Sequence, residues 1–232
     1  MKLSNLSLVS GVLLVSLFVA GCTSQQAPVA PTPDAVVEQP TEQVVNSGAT
    51  NSGAVAPNAD IALTKQANTE TSTIKWNAKK VGGAHFWTVK LTNGSLDFDS
   101  WSKLIGGAFT IDMNTITVDD LEGDMQAGLL KHLQGDDFFA VAANPTSTFT
   151  ITTVNELSPN SYEVTGDLTI KGISNPVTFV ASVDATTMTF TAPIVIDRTL
   201  WDIKFRSLKF FSDVADKAID DTITYDVTLT VQ

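Results

Sequence analysis

Residues 124–151, D-M-Q-A-G-L-L-K-H-L-Q-G-D-D-F-F-A-V-A-A-N-P-T-S-T-F-T-I, form the one helical break in a chain that otherwise alternates apolar and polar positions. Leu129, Leu130 and Leu133 recur at i, i+1 and i+4, the spacing of one helix face, and Gly135 suits a helix C-terminus. Phe138 and Phe139 follow as a bulky apolar pair, and a strand pattern resumes at Thr148. A single amphipathic helix amid strands reads as a lid, packed over one end of a β-barrel whose apolar interior can take a lipid chain.

On both sides of this stretch the period is 2. Ile74, Trp76 and Ala78 alternate with Lys75 and Asn77, and Trp87, Val89 and Leu91 follow Gly82-Gly83. Leu96 and Phe98 continue in the opposite phase across Asn93-Gly94, a change that a hairpin or a bulge inside one long strand would produce. Phe109, Ile111 and Met113 make the next strand. Beyond the helix, Phe149 and Ile151 open a strand that ends near Ser158-Pro159-Asn160. Tyr162, Val164, Gly166, Leu168 and Ile170 share one face, where the glycine leaves room inside. Turn chemistry from Gly172 to Pro176 precedes Val177, Phe179, Ala181 and Val183. Met188, Phe190, Ala192, Ile194 and Ile196 form another face, and Pro193 on the opposite parity predicts an edge, a bulge or a kink. Ile223, Tyr225, Val227, Leu229 and Val231 are the last set. About eight strands without βαβ alternation specify an all-β, antiparallel barrel or sandwich. Alternation does not choose between them, although only a barrel can hold a small ligand inside.

The net charge of -11 and the pI near 4.4 disfavour nucleic acid as a partner, because phosphate binding needs a basic face. The N-terminus carries an apolar run from Leu8 to Ala20 that ends in Val19-Ala20-Gly21-Cys22, read as a secretory signal over residues 1–21. The small residues before Cys22, the one cysteine in the chain, resemble the lipobox of bacterial lipoproteins. That resemblance implies cleavage before Cys22, acyl chains such as palmitate on it, and a stable anchor in a membrane facing the periplasm. Thr23 in place of an acidic residue favours the outer membrane. Residues 22–70, rich in Ala, Pro, Gln, Asn, Ser and Thr, are expected to be a disordered linker, with the barrel domain over residues 71–232.

No G-x-S-x-G elbow or phosphate-cradling glycine loop is present, so a binding module rather than an enzyme is expected, without cofactor or metal. Asp136-Asp137 and Asp220-Asp221 are adjacent pairs whose side chains diverge in a strand, and they read as solvated or capping carboxylates. The candidate ligand-binding residues are Trp87, Phe109, Met113, Leu130, Leu133, Phe138, Phe139, Phe149, Phe179, Phe190, Trp201 and Phe205 on apolar faces. His85, His132 and Arg206 are the candidates for polar contact, with Lys204 beside Arg206. A homodimer is left open.

Ser72 to Trp76, His85, Gly94-Ser95-Leu96, His132-Leu133, Asp137-Phe138-Phe139 and Pro145 with Phe149 recur in a recognisable order. Gly166 to Gly172, Pro176-Val177, Asp197-Arg198-Thr199 and Ala218 to Asp221 extend the set, and together these pieces resemble the YceI-like family over residues 71–232. The resemblance implies an eight-stranded, antiparallel, lipocalin-like barrel with one helix over an end. It also implies an elongated pore for an isoprenoid or other amphipathic lipid, such as a polyisoprenoid, a quinone or a fatty amide. The chain departs from the family at Gly128-Leu129, where many members carry Arg-Asp, and at Ala140-Val141, where an acidic residue is frequent.

Overall fold

The computed structural model describes residues 60–232, so the expected signal segment, Cys22 and most of the linker lie outside the described residues. The elements are β1 (Leu63–Gln66), β2 (Thr73–Lys80), β3 (Gly83–Phe98), β4 (Leu104–Val118), α1 (Gly123–Gln134), β5 (Thr146–Ser158), β6 (Ser161–Ile170), β7 (Ile173–Asp184), β8 (Thr189–Asp197) and β9 (Ile219–Thr230). Every pairing is antiparallel, in the order β1-β3-β2-β9-β8-β7-β6-β5-β4, and a further β3–β4 pairing closes the sheet. β1 and β2 share one edge of β3: Leu63 to Gln66 face Phe98 to Ser95, and Ile74 to Lys80 face Val89 to Gly83. They are two parts of one interrupted strand, so the nine segments make an eight-stranded closed barrel. Closure removes the free edges that a sandwich would keep.

β1 corrects the expected boundary, since a disordered linker to residue 70 does not hold for residues 63–66. Thr64 Oγ1 donates to Asp97 Oδ1 at 2.6 Å, and Gln66 exchanges backbone hydrogen bonds with Gln232. Four residues are too short for alternation to register, and their partners come from β3 and the far C-terminus, which local sequence does not display.

Asn93-Gly94 lies inside β3 as a bulge, with no hairpin there; the register with β4 slips between Leu91 and Asn93. That slip turns the inward phase from Val89 and Leu91 to Leu96 and Phe98, all four of them buried. At Pro193 an edge, a bulge or a kink was expected, and the strand is partly an edge there. β8 pairs with β9 along its whole length, from Thr189 to Asp197, but with β7 only through Thr189, Phe190 and Thr191. Above Thr191 these two strands part, and a residue lacking an N–H is tolerated where pairing stops.

The strand directions place α1 and the segment 198–218 at the same end, opposite the hairpin turns that join β3 to β4, β5 to β6 and β7 to β8. Asp124 in the first turn of α1 and Lys131 and His132 in the last suit the helix dipole. Gly135 stops the helix as expected, but in extended conformation (φ -77°), its N–H reaching the carbonyls of Lys131 and His132. Leu133, Phe138 and Phe139 are buried, while Leu129 and Leu130 pack half-buried against the core.

Candidate functional site in the barrel lumen

The inward face of every barrel strand is apolar, and together these faces enclose a cavity of about 140 Å³. Its wall runs from Leu96 and Leu104 near the hairpin end to Ser147 and Ile170 near the helix end. Along β4 alone, Leu104 to Met113 spans roughly 30 Å of strand at about 3.3 Å per residue. A narrow space of that length suits an extended chain better than a compact ring system.

Five of the candidate residues line this space: Phe109, Met113, Phe149, Phe179 and Phe190. Phe109 and Phe149 face one another across β4 and β5, and the Phe149 and Phe179 rings lie 5.6 Å apart, so aromatic rings band the middle of the lumen. Gly166, expected to leave room inside, does so for these rings, and so does Gly94. A Cβ at Gly94 would collide with the Phe109 ring, and one at Gly166 would lie 2.7 Å from Phe149 Cε2.

A second group forms a plug at the helix end. Phe139 meets Trp76 with ring planes at 80° and centroids 4.7 Å apart, and Phe138 touches both Phe139 and Phe205. Trp201 is buried with its indole N–H donating to the Leu168 carbonyl at 3.0 Å. Leu133 is buried and Leu130 and Phe205 are half-buried beside them. Trp87 packs beside its cross-strand partner Trp76, ring centroids 5.4 Å apart, and is not among the residues lining the cavity.

The three candidates for polar contact, His85, His132 and Arg206, are not part of that wall. His85 Nδ1 lies 2.7 Å from Asp120 Oδ2 at the rim. Burial pushes the Asp120 carboxyl up, but the His85 contact and the Phe86 N–H outweigh it and hold it below its ordinary value. His132 is exposed, stacks on Phe205 at 5.8 Å and contacts Asp137 at 3.1 Å. Arg206 is also exposed and covers a face of Phe205 at 5.0 Å. His132 and Arg206 are exposed on the outer side of the plug, whereas His85 is half-buried near the start of β3.

Sequence reasoning missed Trp76, Ser147 and Tyr225, three polar groups in the cavity wall. The signal was present for all three: Trp76 shares the phase of Ile74 and Ala78, Ser147 that of Phe149 and Ile151, and Tyr225 that of Ile223 and Val227. Arg198 was also passed over. It is buried, yet its guanidinium donates to the carbonyls of Ile203, Ile219 and Asp220 and to Asp221, which ties the segment 198–218 to β9. Among the described residues no cluster of three or more His, Cys, Asp or Glu side chains could hold a metal.

Comparison with known proteins places this geometry. A UPF0312 protein of Pseudomonas aeruginosa is 38% identical over 90 residues, 38% of this chain and 44% of its own length. A UPF0312 protein of Azotobacter vinelandii is 29% identical over 96 residues, 41% of this chain and 47% of its own. The chain thus spans about half the length of these curated relatives. The crystal structure of Burkholderia cenocepacia BcnA superposes with a TM-score of 0.58 at 23% identity, covering 72% of this chain and 99% of that one, a likeness of fold. The family description that matches is the YceI-like domain, over residues 66–231. With that match across most of its length, and with the closed barrel and single helix described above, the chain belongs to the YceI-like family.

Proposed function

We propose that this protein is a lipoprotein of the bacterial envelope whose barrel binds and carries one long-chain amphiphile of the polyisoprenoid, quinone or fatty-amide kind. The observation that carries this reading is the lumen itself: a narrow cavity lined by apolar side chains from all eight strand positions and plugged at one end. Apolar volume of this kind excludes water and favours an apolar occupant. Each methylene moved from water into it contributes about 0.8 kcal/mol, less the cost of ordering the chain. Mechanism here means sequestration and release, with no covalent step.

The anchor belongs to the same proposal. Acylation at Cys22 would hold the barrel on a membrane facing the periplasm, and Thr23 favours the outer membrane. Among the described residues no helix is long and apolar enough to cross a membrane. Native mass spectrometry of the full chain carrying Cys22→Ser, purified without detergent, tests carriage. A stoichiometric adduct, identified after organic extraction as an isoprenoid, quinone or fatty amide, is the expected result. A bare mass, together with no binding of added amphiphiles at micromolar concentration, would leave a packed barrel that meets partners on its outer face.

A further inference from the structure

The lumen is apolar except for three side chains that have nothing to bond to. Trp76, Ser147 and Tyr225 line it and are 3%, 5% and 8% exposed. Among the described residues, Trp76 Nε1, Ser147 Oγ and the Tyr225 hydroxyl find no hydrogen-bond partner. Buried donors are nearly always satisfied in native interiors, so three around one cavity call for a partner that enters it. A fourth unpartnered donor, Trp87 Nε1, belongs to the ring beside Trp76 in register, which is not among the residues lining the cavity.

The three donors gather in the helix-end half of the lumen. Trp76 stands opposite Tyr225 in register, with ring centroids 4.8 Å apart, and the plug residue Phe139 rests on Trp76. Ser147 is the second residue of β5, which starts at the helix end. Indole N–H is a donor alone, and phenol and alcohol hydroxyls can donate as well as accept. Burial pushes the Tyr225 phenol far above its ordinary value, so it keeps its proton. Donors are therefore available, but no counter-charge is. Among the described residues no charged side chain lines the cavity, and the buried Arg198 directs its guanidinium to three carbonyls and Asp221. A phosphate or carboxylate placed there would be desolvated without an ion partner, which is strongly unfavourable.

Resting on the amphiphile-carriage reading, we infer that the ligand's polar end is uncharged and bears an oxygen acceptor, as in an alcohol, a ketone or an amide. It sits inside the barrel beneath the Phe139 plug, on Trp76, Ser147 and Tyr225, and the apolar tail extends toward Leu96 and Leu104. Head-group selection thus occurs in the lumen and not at the basic rim around Arg206.

Three probes with a common C20 branched tail test this on the full chain, with binding read by tryptophan fluorescence: geranylgeraniol, geranylgeranyl diphosphate and the headless hydrocarbon phytane. Geranylgeraniol is expected to bind tightest, roughly 100-fold ahead of the diphosphate. Tyr225→Phe and Ser147→Ala should each weaken geranylgeraniol by roughly three- to tenfold and leave phytane unchanged. A diphosphate that binds as tightly as the alcohol would overturn the proposal and move the head to the rim. So would an alcohol that binds no better than phytane, although carriage itself would then stand. If none of the three binds, phytane included, the carriage reading fails and takes this inference with it.

Discussion

Gly94 stands directly opposite Phe109 across β3 and β4, and the phenyl ring occupies the space that a side chain at Gly94 would need. The pair sits just beyond the β3 bulge, where the chain must change its inward phase while keeping the lumen wall continuous. Glycine weakens a strand by itself, but a ring laid over its bare backbone restores the lost packing. Gly94→Ala is expected to cost about 1–3 kcal/mol from overpacking, and Phe109→Ala about 3–5 kcal/mol from the cavity it leaves. Because each change relieves the other, the double variant should be more stable than the sum by more than about 1 kcal/mol. Urea unfolding of the four proteins in the cycle measures this, and strict additivity would refute the pairing.

Phe139 closes the helix end by its edge-on contact with Trp76. Phe139→Ala should destabilise the fold by about 3–5 kcal/mol and remove the top of the plug. Stopped-flow displacement of a bound amphiphile is then expected to show faster release in this variant than in the parent. An unchanged release rate would mean that ligands leave elsewhere, the parted upper edges of β7 and β8 being the obvious route.

Arg198 has no exposed surface and holds three backbone carbonyls besides Asp221. Arg198→Met would orphan those carbonyls and leave Asp221 without its cation, an expected loss of about 3–5 kcal/mol. Arg198→Lys should recover little of it, since one ammonium cannot reproduce a planar fork of donors. Thermal unfolding of both variants provides the check, and a lysine variant as stable as the parent would contradict the assignment.

Asp197 supplies the acid dependence expected of this same corner. Burial raises its carboxyl, but the Thr199 hydroxyl and N–H, aided by Lys209, outweigh that and leave it lowered. A carboxylate lowered in the folded state stabilises above its unfolded value, and the contribution disappears as pH falls through the folded value. Asp197→Asn should therefore be less stable than the parent at pH 7, with the gap closing below about pH 4. Denaturation curves across that range would show it; a gap that widened in acid would reverse the sign.

For the proposed anchor, Cys22→Ser should move the protein from the membrane fraction to the soluble periplasmic fraction. Detergent partitioning of cell extracts reads this directly. Equal membrane retention of both forms would rule out lipidation at Cys22 as the anchor.

Much of the barrel was legible because strand faces are written in period 2. The inward sets of β2, β6, β7, β8 and β9 were predicted residue by residue, as were the helix and its stop at Gly135. Alternation was less informative about how strands are divided. Asn93-Gly94 read first as a hairpin signal with a bulge as the alternative, and β1 was hidden in a polar linker because its four residues have meaning only against β3. For the site, Phe109, Met113, Phe149, Phe179 and Phe190 were read from phase alone and do line the lumen. His85, His132 and Arg206, read only as candidates for polar contact, lie off the cavity wall, because residue type does not say which side of a plug a side chain occupies.

The sequence by itself determined the class of fold, the apolar inner surface, the position of the helix and the family. These follow from local periodicity and ordered motifs, properties that neighbouring residues carry between them. Only the tertiary structure decided that Phe139 caps Trp76, that the interior glycines lie under phenyl rings, and that Trp76, Ser147 and Tyr225 share one apolar space without partners. Those facts depend on which distant strands become neighbours when the sheet closes, and whether a buried donor is satisfied is a property of the neighbours it acquires.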